Sequence, residues 1–200
     1  MRAWTWVAAS VALVAATGFA NAQHREAGAH AHGRGTLNIA LEGKHLSMEL
    51  EAPGADIVGF EHKAQTDAQK AALEKAEQQL MAPQTLFELP AAAGCTFVTA
   101  AITVEGDTDH GHDHDHAATK DGDKDHDHDH QDHAGYEHSG FRVEYDFECK
   151  TPTSLTSIGF GYFKAFAGAQ KLDVTVVTPK GQSKLEASRD KPRIELGGLI

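Results

Sequence analysis

Between Thr36 and Ala52 apolar and polar residues alternate with a period of two: Leu37, Ile39 and Leu41, then Leu46, Met48 and Leu50. Gly43-Lys44 lies between the two runs and fits a two-residue turn with glycine first, so the segment reads as a β-hairpin. That turn sets Leu41 opposite Leu46, Ile39 opposite Met48 and Leu37 opposite Leu50, all on one face. A slip of one residue would move the whole set to the other face, so pattern and turn fix the same register. From Thr66 to Met81 the period changes. Ala72, Leu73, Ala76 and Leu80 form a helical stripe, Thr66 and Gln69 make a capping box, and Pro83 closes the run.

Phe141 to Cys149 alternates strictly, with Phe141, Val143, Tyr145, Phe147 and Cys149 on one face and charged residues on the other. Cys95 to Val104 reads as a second long strand. Pairing Cys95 with Cys149 sets Phe97 against Phe147, Ala101 against Val143, Thr103 against Phe141 and Val104 against Gly140. Shorter strands are predicted at Thr85–Leu89, Leu155–Ile158, Leu172–Thr178, Gln182–Ala187 and Arg193–Leu196, with a short helix near Phe160–Phe166 and a turn at Pro179-Lys180-Gly181. The fold class is α+β: mostly antiparallel strands with one main helix, in a single domain made of residues 36–104 and 140–200.

Charge changes this picture in one place. The 200 residues carry 18 basic and 29 acidic side chains and a net charge of −11. Twelve of the acids, against two lysines, fall between Glu105 and His138. The remainder is close to neutral. No basic cluster exists to neutralise phosphates, which excludes nucleic acid as a partner. Residues 105–139 also hold nine of the fourteen histidines: His110, His112, His114 and His116, then His126, His128 and His130, then His133 and His138. High charge and few apolar residues predict an insert that is disordered without a ligand.

Imidazole suits Zn²⁺, and also Cu²⁺ or Ni²⁺. Alternate residues of an extended chain lie roughly 6.5–7 Å apart and point the same way, so two imidazoles at i and i+2 converge on one ion with little bending. The interleaved aspartates concentrate cations and supply oxygen ligands or orient imidazoles. With four ligands per tetrahedral zinc, nine histidines suggest two or more ions. Such an insert lacks the fixed ligands and rigid surroundings of a catalytic metal, so no enzyme activity is expected. A more ordered second site is expected from His30 and His32, with His62 and Glu61, because these flank structured elements.

Met1-Arg2, the apolar run Ala3–Phe19 and Ala20-Asn21-Ala22 read as a signal peptide (1–22) cleaved after Ala22, and residues 23–35 as a flexible His-containing lead-in. No other stretch is apolar enough to embed the chain in a membrane. In an exported chain, exactly two cysteines favour a Cys95–Cys149 bond. That bond would close a loop of about 55 residues, worth roughly 4 kcal/mol.

Several stretches together resemble the ZrgA-like family of periplasmic zinc-uptake proteins. They are His30-Ala-His32-Gly33 before the hairpin, Asp56-Ile-Val-Gly-Phe-Glu61-His62, the His/Asp insert, Tyr145-Asp-Phe-Glu-Cys149 and Thr178-Pro-Lys-Gly-Gln182. The resemblance implies a periplasmic protein that binds zinc and assists its import under scarcity, with no known reaction. A zinc ABC importer or its binding protein is then a candidate partner. A copper or nickel buffer for detoxification is the main alternative. A metal-dependent hydrolase built on His30, His32, His62 and a carboxylate is the weaker one, for no HExxH-type signature is present.

Overall fold

The computed structural model describes residues 31–105 and 140–200. The insert histidines, His30 and the segment read as a signal peptide lie outside the described residues. The fold is α+β, as the pattern predicts. In chain order its strands are β1 (Arg34–Glu42), β2 (His45–Pro53), β3 (Phe87–Glu88), β4 (Cys95–Glu105), β5 (Gly140–Cys149), β6 (Ser157–Phe160), β7 (Lys171–Thr178), β8 (Gly181–Ser188) and β9 (Arg193–Glu195). The helices are α1 (Gly54–Ile57), α2 (Asp67–Leu80), α3 (Pro83–Leu86) and α4 (Tyr162–Ala165). Among the described residues, no helix is long and apolar enough to cross a membrane.

Six strands form one sheet in the order β4-β5-β2-β1-β7-β8, and β3, β6 and β9 form a second sheet. The hairpin pairs as its alternation requires: Leu37 with Leu50, Ile39 with Met48, Leu41 with Leu46. β1 starts at Arg34, two residues before the expected boundary. It also pairs with β7 in parallel, Leu37 opposite Val174 and Ile39 opposite Val176. All of these apolar residues are buried, on the face that meets the second sheet and the helices. Tyr145 and Phe87 meet edge-to-face at 5.4 Å, and Phe87 meets Phe160 at 6.2 Å. The opposite face of the large sheet carries Thr36, Asn38, Glu49, Glu144 and Asp146, and none of it joins the core.

α2 is capped as predicted: the Thr66 hydroxyl accepts from the Gln69 N–H, and the Gln69 carboxamide accepts from the Thr66 N–H. Residues Thr85–Leu89 differ from the strand expected there. Pro83 instead starts α3, its fixed φ suiting a first helical position, and only Phe87–Glu88 are extended.

The β4–β5 ladder begins as expected, with Cys95 opposite Cys149 and Phe97 opposite Phe147. Beyond that point the expected pairing is corrected by a β-bulge between Phe97 and Thr99. Ile102, not Ala101, lies opposite Val143, and Val104 lies opposite Phe141. The extra residue shifts the parity so that the larger apolar side chains reach the core-facing row. Cys95 and Cys149 form a disulfide, with their Cα atoms 3.8 Å apart. It closes one end of the ladder. At the other end Glu105 stands opposite Gly140, and Gly140 opposite Pro53, where β2 gives way to α1.

Candidate metal centre

The approach to β1 is pinned by Gly33. Its φ of +81° favours glycine, and a Cβ there would press on the Gln170 side chain at 3.2 Å. Its N–H donates to Asp56 Oδ1 at 2.7 Å, while its carbonyl accepts from the Gln170 and Lys171 N–H groups at 2.9 and 2.8 Å. Three hydrogen bonds on one residue leave its neighbour His32 little freedom of placement. The His32 side chain is exposed, yet its Nε2 lies 3.1 Å from Oε1 of Glu61, whose side chain is only 17 % exposed.

Asp56 sits on α1 and is 4 % exposed. Its Oδ1 takes the Gly33 bond, and its Oδ2 is buried with no hydrogen-bond partner among the described residues. Burial pushes the carboxyl pKa above its ordinary value. The Gly33 N–H and the nearby His32 pull it down, and Glu61 adds to the rise. Tyr162 is wholly buried, and the Asp56 charge is one of the influences that raise its hydroxyl pKa, after burial itself. The backbone beneath Asp56 is seated by Gly168: a Cβ there would fall 2.6 Å from Asp56 Cα. The loop carrying Gly168 is held by Arg189, whose guanidinium donates to the carbonyls of Phe163, Phe166, Ala167 and Ala169 at 2.6–2.9 Å. A chain of contacts thus runs from Arg189 through Gly168, Asp56 and Gly33 to His32.

His62 is held elsewhere. Its ring stacks on Phe60 at 5.1 Å, its Nδ1 donates to the Lys63 carbonyl at 3.0 Å, and its Nε2 lies 3.4 Å from the Gln69 carboxamide nitrogen of the helix cap. Of the ordered set expected from sequence, the structure therefore brings His32 and Glu61 together, leaves His62 on the α2 cap, and does not describe His30. Among the described residues, no three His, Cys, Asp or Glu side chains form a group that could hold a metal ion. His32 and Glu61 are a pair, not a complete site. In a tetrahedral zinc site with bonds of about 2.0–2.1 Å, neighbouring ligand atoms lie roughly 3.3 Å apart, close to the spacing of this pair. His45, outside the expected set, pairs with Asp146 at 3.1 Å on the exposed sheet face.

The register fixes where these features lie. Pro53, Gly140 and Glu105 form one row across three strands, and Gly35 packs against Glu51 and Ala52 in the adjoining strand. The lead-in with His32, helix α1 with Asp56, and both roots of residues 106–139 therefore share one end of the large sheet. The disulfide occupies the other end. Asp56 is the residue that sequence reasoning missed. Its only signal is an aspartate directly after the Pro53-Gly54-Ala55 strand exit, within the stretch that also holds Glu61 and His62.

A family model described as ZrgA family zinc uptake protein matches residues 29–196. A comparison with curated proteins finds no match.

Proposed function

Because the chain belongs to the ZrgA family of zinc uptake proteins, we propose that it captures Zn²⁺ in the periplasm, after removal of residues 1–22, and assists delivery to a zinc importer or its binding protein. The observation that carries this reading is the placement of ligand-bearing segments. The two strands that launch and receive the nine-histidine segment are paired at Glu105 and Gly140, at the same end of the sheet as the His32–Glu61 pair. Weak, exchangeable imidazole ligands load and release ions quickly. A closed four-ligand cage would hold them for longer. In this reading His110, His112, His114, His116, His126, His128, His130, His133 and His138 supply capacity for two or more ions. His32 and Glu61, joined by His30, hold one ion more tightly, because Gly33 and Asp56 have already ordered that pair.

The test replaces residues 106–139 with a two-residue turn, which the opposed positions of Glu105 and Gly140 accommodate. Calorimetric zinc titration is expected to lose most of its stoichiometry and to keep one tighter ion that His32→Ala then removes. Zinc capacity unchanged by the replacement would overturn the reading. The ions held by the insert should be released as pH falls through about 6.5, where protons compete for imidazole.

A further inference from the structure

Among the described residues nothing covers one face of the large sheet, and that face is not flat. Ala40 and Ser47, directly opposed on β1 and β2, form the floor of a depression of about 400 Å³ at its centre. Val177, opposite Ala40 on β7 and 45 % exposed, forms one wall. Glu49, Glu144 and Asp146 form the other. Glu49 and Glu144 are direct cross-strand partners, a like-charge pairing that disfavours the sheet. Glu49 takes a hydrogen bond from Asn38 at 3.3 Å, with Arg142 4.0 Å away, and Asp146 pairs with His45. Glu144 has no ion-pair partner among the described residues. The opposed carboxylates cost less than the burial of the leucines on the other face contributes. The β2–β5 ladder therefore keeps its register, with the repulsion left standing on its surface.

We propose that this face docks a partner protein that inserts a lysine or arginine side chain into the Ala40/Ser47 depression. A long cationic side chain has the two halves the depression needs: an apolar stem to lie on Ala40 and Val177, and a charged head to sit between Glu49, Glu144 and Asp146. Charge decides against the nearer occupants. Residues 106–139 carry eleven acids and two lysines, the same sign as the walls. A second copy docking by this same face would bring acid against acid. The inference concerns a surface, and it stands whichever metal the protein carries.

The probe is a blocked tetralysine peptide titrated into the full-length, isotopically labelled protein, followed by amide chemical shifts at low and at physiological salt. The expected result is a set of shifts centred on Ala40, Ser47, Thr175 and Val177 that weakens with salt. The double variant Glu49→Gln/Glu144→Gln should weaken this binding by about tenfold. Ala40→Leu, which fills the depression without changing charge, should abolish the same shifts. Glu186→Gln, in the Arg34 and Lys171 ion pairs at another part of the sheet, should leave them intact. Shifts confined to residues 106–139, equal loss in Glu186→Gln, no effect of Ala40→Leu, or concentration-dependent shifts without peptide would each overturn the proposal, the last in favour of a second copy.

Discussion

Asp56 has two oxygens in different circumstances. One accepts from Gly33, the other is buried without a hydrogen-bond partner, and burial raises the carboxyl pKa. The folded chain therefore holds this proton to higher pH than the unfolded chain, whose carboxyl has the ordinary value of 3.8. Between those two values the native state binds more protons, so the contribution of Asp56 to stability falls as pH rises and is least favourable at neutral pH. Asp56→Asn keeps an acceptor for Gly33 and has no charge to bury. It should be more stable than wild type at pH 7, with the gap closing as pH falls through the raised folded value towards 3.8 and constant below that, in urea titrations across a pH series. A gap independent of pH would refute the assignment. Asp56→Ala removes the acceptor as well and should destabilise by about 1–3 kcal/mol. Glu61 and His32 stand out in sequence as ligand types beside structured elements. Asp56 does not stand out as the residue that orders them, because its role exists only once Gly33, more than twenty residues earlier, folds against it.

At the scale of elements, what could be read was what depends on neighbours in sequence. The hairpin register follows from a two-residue turn and an alternation, and the α2 cap from Thr66 and Gln69. The parallel pairing of β1 with β7 depends on a connection through most of the chain, which no local period encodes. The bulge in β4 is an intermediate case. Its apolar residues change from odd positions (Cys95, Phe97) to even ones (Ile102, Val104), a parity break visible in the sequence and explained once Val98 is counted as the extra residue. The cysteines close the ladder end remote from the insert roots. Replacing both with serine should lower stability by roughly 4 kcal/mol, from a loop of about 55 residues, and leave zinc stoichiometry unchanged. Denaturant titration and calorimetry on the same variant check both halves. Loss of zinc with the fold intact would make the sulfurs ligands.

Across the whole molecule, the large sheet separates three tasks. One face holds the core, one end gathers the His32–Glu61 pair with the roots of the histidine segment, and the opposite end is closed covalently. Strands near β3, β6 and β9 are legible in the sequence, but their pairing into a second sheet is not, because they are two to four residues long and β6 is buried throughout and shows no alternation. The position of the disulfide has a consequence for how the protein survives damage. A protease that cuts once anywhere between residues 106 and 139 separates the chain into two fragments, one ending after β4 and the other beginning before β5. Those fragments remain joined by the Cys95–Cys149 bond and by every rung of the ladder between them. Nicked protein should run as one species on a non-reducing gel and as two on a reducing gel, with the melting transition of the uncut protein in the first case. The bond thus makes the histidine segment expendable, so that a cut within it does not cost the cell the domain that carries it.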